Sequence, residues 1–138
     1  MLWVLMLLVA GTAAATAPPP AQGVIATGCA GGVTGGGVET RIVADGRIVR
    51  LTLPRAGQPW QVEQRGFDQA AYARLDRVLE ASGFARLRGS PPGNMTCWLE
   101  RGFADGHRQR VSWAGTDPPA AWPAPLRAAV PELRELGR

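Results

Sequence analysis

Two runs of alternating apolar and polar residues, Val38-Glu39-Thr40-Arg41-Ile42-Val43 and Arg47-Ile48-Val49-Arg50-Leu51-Thr52-Leu53, flank Ala44-Asp45-Gly46. Period-two alternation interrupted by Asp-Gly predicts a β-hairpin. With Asp45-Gly46 as a two-residue turn, Ile42 faces Val49, Thr40 faces Leu51 and Val38 faces Leu53. That register collects one apolar face and leaves Glu39, Arg41, Arg50 and Thr52 on the other. The stretch Trp60 to Gln64 alternates again after Pro59 and predicts a short third strand.

From Phe67 to Phe84 the spacing changes to that of a helix, with Ala71, Tyr72, Leu75, Val78 and Leu79 on one stripe. Asp68 is the natural N-cap, with Phe67 placed to staple onto Tyr72, and Gly83 followed by Phe84 supplies the left-handed stop. A second hairpin is expected from Met95 to Phe103 and His107 to Ala114 around Asp105-Gly106. A two-residue turn sets Arg101 against Arg110 there. A bulge at Gly102 instead pairs Leu99 with Val111, Cys97 with Trp113 and Glu100 with Arg110, the better arrangement. After a proline-rich connector, Leu126, Ala129, Val130, Leu133 and Leu136 recur at helical spacing, with Pro131 a point where that helix kinks or restarts. The expected fold is α+β, with two antiparallel hairpins forming a sheet and each hairpin followed by a helix packed on one face.

The amino-terminal segment follows different rules. Leu2 to Ala10 is an apolar core of nine residues, followed by small side chains from Gly11 to Ala17 and then by Pro18-Pro19-Pro20. This pattern reads as a signal peptide cut after Ala15 or Ala17. A retained anchor is the alternative, although the core is shorter than the ~20 residues that span a bilayer and no Lys or Arg precedes it. Residues 1–17 are assigned to the signal, 18–28 to a flexible Pro- and Gly-containing linker, and 29–138 to a single α+β domain. Export to the periplasm or outside the cell would carry Cys29 and Cys97 into an oxidising compartment, where pairing is the default. Closing that loop stabilises the fold by roughly 4 kcal/mol on chain-entropy grounds. A lipid attachment at Cys29 fits poorly, because three prolines and Gln22 separate it from the apolar core.

The 138 residues are enough for one modest domain. All 15 basic residues are arginine, and they are interleaved with 11 acids, which argues against a nucleic-acid surface despite the net charge of +4. The single His107 lacks the companions a metal site requires, and Ser112, His107 and Asp105 lie on one ribbon where a catalytic triad does not converge. Gly31 to Gly37 precedes a strand rather than opening a helix, and with no Lys in the chain it is not a phosphate-binding loop of the Walker type. Neither a cofactor nor a metal is expected. Trp98 points away from the helices in the bulged register and is a candidate for contact with a partner.

Gly31-Gly32-Val33-Thr34-Gly35 before the first hairpin, Asp45-Gly46 at its turn, Ser82-Gly83-Phe84 after the helix, Pro91-Pro92, Val111-Ser112-Trp113 and Pro125-Leu126-Arg127 together resemble the emfourin-like proteins, small inhibitors of thermolysin-like metalloproteases. The resemblance spans most of residues 31–136, with Val33 standing where relatives usually carry an aromatic. It implies a non-enzymatic protein that blocks a protease by occupying its cleft; the expected partner is a secreted metalloprotease and the expected state a monomer. The alternative is an envelope interaction module with no protease target. A stiff loop lowers the ordering cost of binding, which selects Pro91, Pro92, Asn94 and Met95. Val33 and Thr34 offer main-chain groups for strand addition.

Overall fold

The computed structural model describes residues 23–138, so the expected signal peptide and the start of the expected linker lie outside the described residues. Residues 24–28, assigned to a flexible linker by their position after the prolines, are instead part of a strand, β1 (Val24–Gly31). Four consecutive residues, Ile25 to Gly28, are buried. A strand covered on both faces has no reason to alternate, so its run of small and apolar residues carries no period-two signal.

The chain continues through β2 (Gly36–Val43), β3 (Arg47–Leu53), β4 (Gln61–Phe67), α1 (Gln69–Ala81), a 3-10 turn (Phe84–Arg86), β5 (Met95–Gly102), β6 (Arg108–Ala114) and α2 (Ala124–Leu136). The strands form one six-stranded sheet in the order β4-β3-β2-β1-β5-β6, antiparallel throughout. The α+β class holds, but the expected first hairpin is the middle of a four-stranded meander. Only after α1 does the chain return to set β5 beside β1.

The register of the first hairpin differs by one residue from the expectation. Ile42 pairs with Ile48, Thr40 with Arg50, and Glu39 with Leu51. The turn is a three-residue loop, Ala44-Asp45-Gly46, in which Gly46 at φ +99° donates its N–H to Val43 O at 2.7 Å. One residue of slip exchanges the faces of one strand relative to the other. Val49 and Leu51 therefore join Glu39 on one face, while Ile42 and Ile48 share the opposite face. The second hairpin closes the same way over Ala104-Asp105-Gly106, with Gly106 at φ +88° and its N–H on Phe103 O at 2.9 Å. Cys97–Trp113, Leu99–Val111 and Glu100–Arg110 pair as expected, but the ladder runs unbroken through Gly102–Arg108 and has no bulge at Gly102.

Both helices lie on the face that carries Ile25, Ile42, Ile48, Cys97, Leu99, Val111 and Trp113, and their buried stripes, Ala71, Leu75, Leu79 and Leu126, Ala129, Val130, Leu133, complete the core. Asp68 caps α1 by accepting the N–H of Ala71 at 2.9 Å. Gly83 takes the left-handed conformation and turns Phe84 into the core. Phe67, expected to staple onto α1, is two-thirds exposed at the end of β4. α2 runs through Pro131 as one helix.

Candidate protein-binding surface

Because β1 and β5 are antiparallel neighbours, the end of one meets the beginning of the other, and Gly31 pairs with Met95. The turn after β1 and the loop before β5 therefore emerge side by side. Gly32 N donates to Asn94 O at 2.8 Å, joining the two segments directly. Val33, at the tip of the turn, is fully exposed, and Thr34 beside it is exposed too.

Both segments are anchored at several points. Thr34 O accepts the N–H of Ala56 at 2.9 Å, and Thr34 Oγ1 accepts from Gly36 N at 3.2 Å. On the other loop, Ser90 N donates to Ser112 O at 2.9 Å and Gly93 N to Thr96 Oγ1 at 3.2 Å. Pro91 and Pro92 lie exposed between these anchors, with φ fixed by their rings. The sheet end thus offers an exposed, conformationally restrained rim of Val33, Thr34, Pro91, Pro92 and Asn94.

The two remaining candidates are not part of that exposed rim. Met95 is partly buried and packs against the core. Trp98 does face away from the helices, yet it is only 7% exposed. Its indole lies over Gly28 of β1, and Nε1 donates to Glu39 Oε2 at 2.8 Å. Around that bond is a charge network that the expected register of the first hairpin could not foresee. Glu39 also pairs with Arg41 and, at 3.6 Å, with Arg110; Arg110 Nε donates to Glu100 at 2.7 Å and its guanidinium stacks 4.7 Å from the Trp98 ring. The carboxylates are buried and the arginine heads are not, so this helix-free face presents positive charge beside Val49, Leu51 and the exposed Val62.

Asp105 Oδ1 accepts the backbone N–H of His107 at 2.8 Å, and the imidazole stacks on Phe103 with centroids 5.8 Å apart. Among the described residues no three His, Cys, Asp or Glu side chains stand together as a metal-binding group. Cys29 and Cys97 face each other across β1 and β5 and form a disulfide, with Cα atoms 4.0 Å apart. No helix among the described residues is long and apolar enough to cross a membrane. The disulfide is compatible with export.

Comparison with protein-family models and with curated proteins gives no match to this chain.

Proposed function

We propose that this chain is an exported, non-catalytic, monomeric binding domain that inhibits a thermolysin-like metalloprotease of the periplasm or extracellular space. The observation that supports this reading is the hydrogen bond between Gly32 N and Asn94 O, which makes one rim of the two segments suited to occupying a protease cleft. A rim whose backbone is tied at both ends loses little conformational freedom on docking. Val33 is the central apolar contact of the proposed interface, and Pro91 and Pro92 form its stiff flank.

The test is titration of the oxidised protein against a panel of thermolysin-like enzymes, with wild type compared with V33D and with the double variant P91A/P92A. Inhibition should weaken at least tenfold in each variant while the melting temperature stays unchanged. Absence of inhibition across the panel by folded wild-type protein rejects the protease reading. The second reading, an envelope interaction module, draws on the helix-free sheet face, where Arg41, Arg108 and Arg110 offer outward charge to an acidic protein. Its test is crosslinking at Arg108 and Arg110 in the producing cell, with R108E/R110E abolishing the product.

A further inference from the structure

On the helix-covered side of the sheet, a pocket of about 210 Å³ opens between the C-terminal end of α2 and the strands β1 to β3. Its lining includes Cys29, Val38, Thr40, Arg50 and Arg134. Arg50 and Arg134 thus line one cavity. Neither takes part in any ion pair among the described residues. Arg50 Nη1 reaches Gly137 O at 3.4 Å, while Arg134 Nη2 reaches Thr116 O at 2.9 Å and Cys29 Sγ at 3.4 Å. All three partners are neutral, and each guanidinium has further N–H donors to offer.

Arg134 is half-buried, and that burial pushes its guanidinium below the usual range, with Asp117 acting in the opposite sense without forming an ion pair. Positive charge withdrawn from water without a counter-charge is costly. The end of α2 supplies one neutral acceptor, Gly137 O to Arg50, while the carbonyls of Arg134 and Glu135 accept the N–H groups of Gly137 and Arg138. Arg138, also at the pocket, has a partner of its own in Glu135 at 2.9 Å. The cavity thus combines an apolar wall with two guanidinium groups that form no ion pair among the described residues, and its volume is below the roughly 300–1,000 Å³ of sites for drug-sized ligands.

We propose that this pocket binds a small organic carboxylate, the charge held by Arg50 and Arg134 and a short apolar tail lying against Val38 and Cys29. Planar guanidinium groups match carboxylate geometry, and the apolar wall separates such an acid from a bare inorganic anion. The carboxylate belongs either to a free short-chain acid or to the C-terminus of a peptide.

Calorimetric titration of the oxidised full chain with butanoate, inorganic phosphate, and a tripeptide in its free-acid and amidated forms tests this. Saturable butanoate binding, weakened at least tenfold in R50Q and R134Q and unchanged in R88Q, at an exposed position outside the pocket lining, is the expected result. Binding of the free-acid tripeptide more tightly than butanoate, with none of the amide, also supports the proposal and assigns a peptide terminus as the source. Failure of wild-type protein to bind either acid overturns it, as does phosphate binding as tight as that of the acids, or affinity for the acids indifferent to R50Q. R50Q keeps the test decisive if R134Q does not fold, which circular dichroism reveals.

Discussion

The indole of Trp98 packs against Gly28, and the contact exists because Gly28 has no side chain. A Cβ at that position would stand 2.5 Å from Trp98 Cζ2 and 2.7 Å from Val38 O. Three neighbouring strands meet in this arrangement: β5 supplies the ring, β1 the space beneath it, and β2 the Glu39 carboxylate that accepts its N–H.

Gly28→Ala should therefore cost about 1–3 kcal/mol, the range for overfilling a packed site. Urea denaturation measures the loss, and a red shift of tryptophan emission should accompany it as the indole lifts toward water. Trp98→Phe retains most of the ring but removes the donor to Glu39 and should cost about 1–2 kcal/mol. An unchanged denaturation midpoint in both variants contradicts the packing described.

The two Ala-Asp-Gly loops provide an internal control on backbone strain. Gly46 and Gly106 both have positive φ, but a Cβ on Gly46 would meet Gln69 N at 2.6 Å, whereas one on Gly106 meets nothing within 4 Å. Gly106→Ala should cost roughly 1–2 kcal/mol, the price of a left-handed conformation alone. Gly46→Ala should lose measurably more, because the start of α1 must also move. Equal midpoints for the two variants would show that only the dihedral matters.

Reducing the Cys29–Cys97 bond releases a constraint across a sequence separation of 68 residues. A loss of roughly 4 kcal/mol is expected, because the reduced unfolded chain regains the freedom the bond removes. Denaturation curves with and without reductant should differ accordingly, and the Cys29→Ser/Cys97→Ser double variant should match the reduced wild type.

Asp45 accepts from the backbone N–H of Arg47 at 3.0 Å and from its side chain at 2.7 Å. The backbone bond, assisted by the Arg47 side chain, holds the carboxyl below the ordinary aspartate value of 3.8. A carboxyl lowered in the folded state stabilises it above the unfolded value, and that contribution disappears as pH falls through the folded one. The stability difference between wild type and Asp45→Asn should therefore be constant at neutral pH and shrink below about pH 4. A difference that grows on acidification refutes this assignment.

Much of the secondary structure was legible because it rests on local rules. The stripe Ala71, Leu75, Leu79, the Asp68 cap and the Gly83 stop are each set by residues within a few positions, and α1 follows them. The pairing of Cys97 with Trp113 was also legible, since the two-residue alternative juxtaposed Arg101 and Arg110. The first hairpin offers no such clash, so nothing local distinguishes a two-residue turn from the three-residue Ala44-Asp45-Gly46 loop that forms. The repeated tripeptide is the signal that separates the two.

The sequence by itself determined what depends on near neighbours: α1 and α2, two turns at Asp-Gly, and the proline-stiffened loop. Tertiary structure decided what depends on lateral contacts between strands distant along the chain. Only the seating of β1 between β2 and β5 brings Gly32 beside Asn94, places Trp98 over Gly28, and leaves Arg50 and Arg134 facing one cavity. Sheet order and hydrogen-bond register are set by burial summed over the whole molecule, and a single residue of slip exchanges inner for outer side chains without altering any local preference.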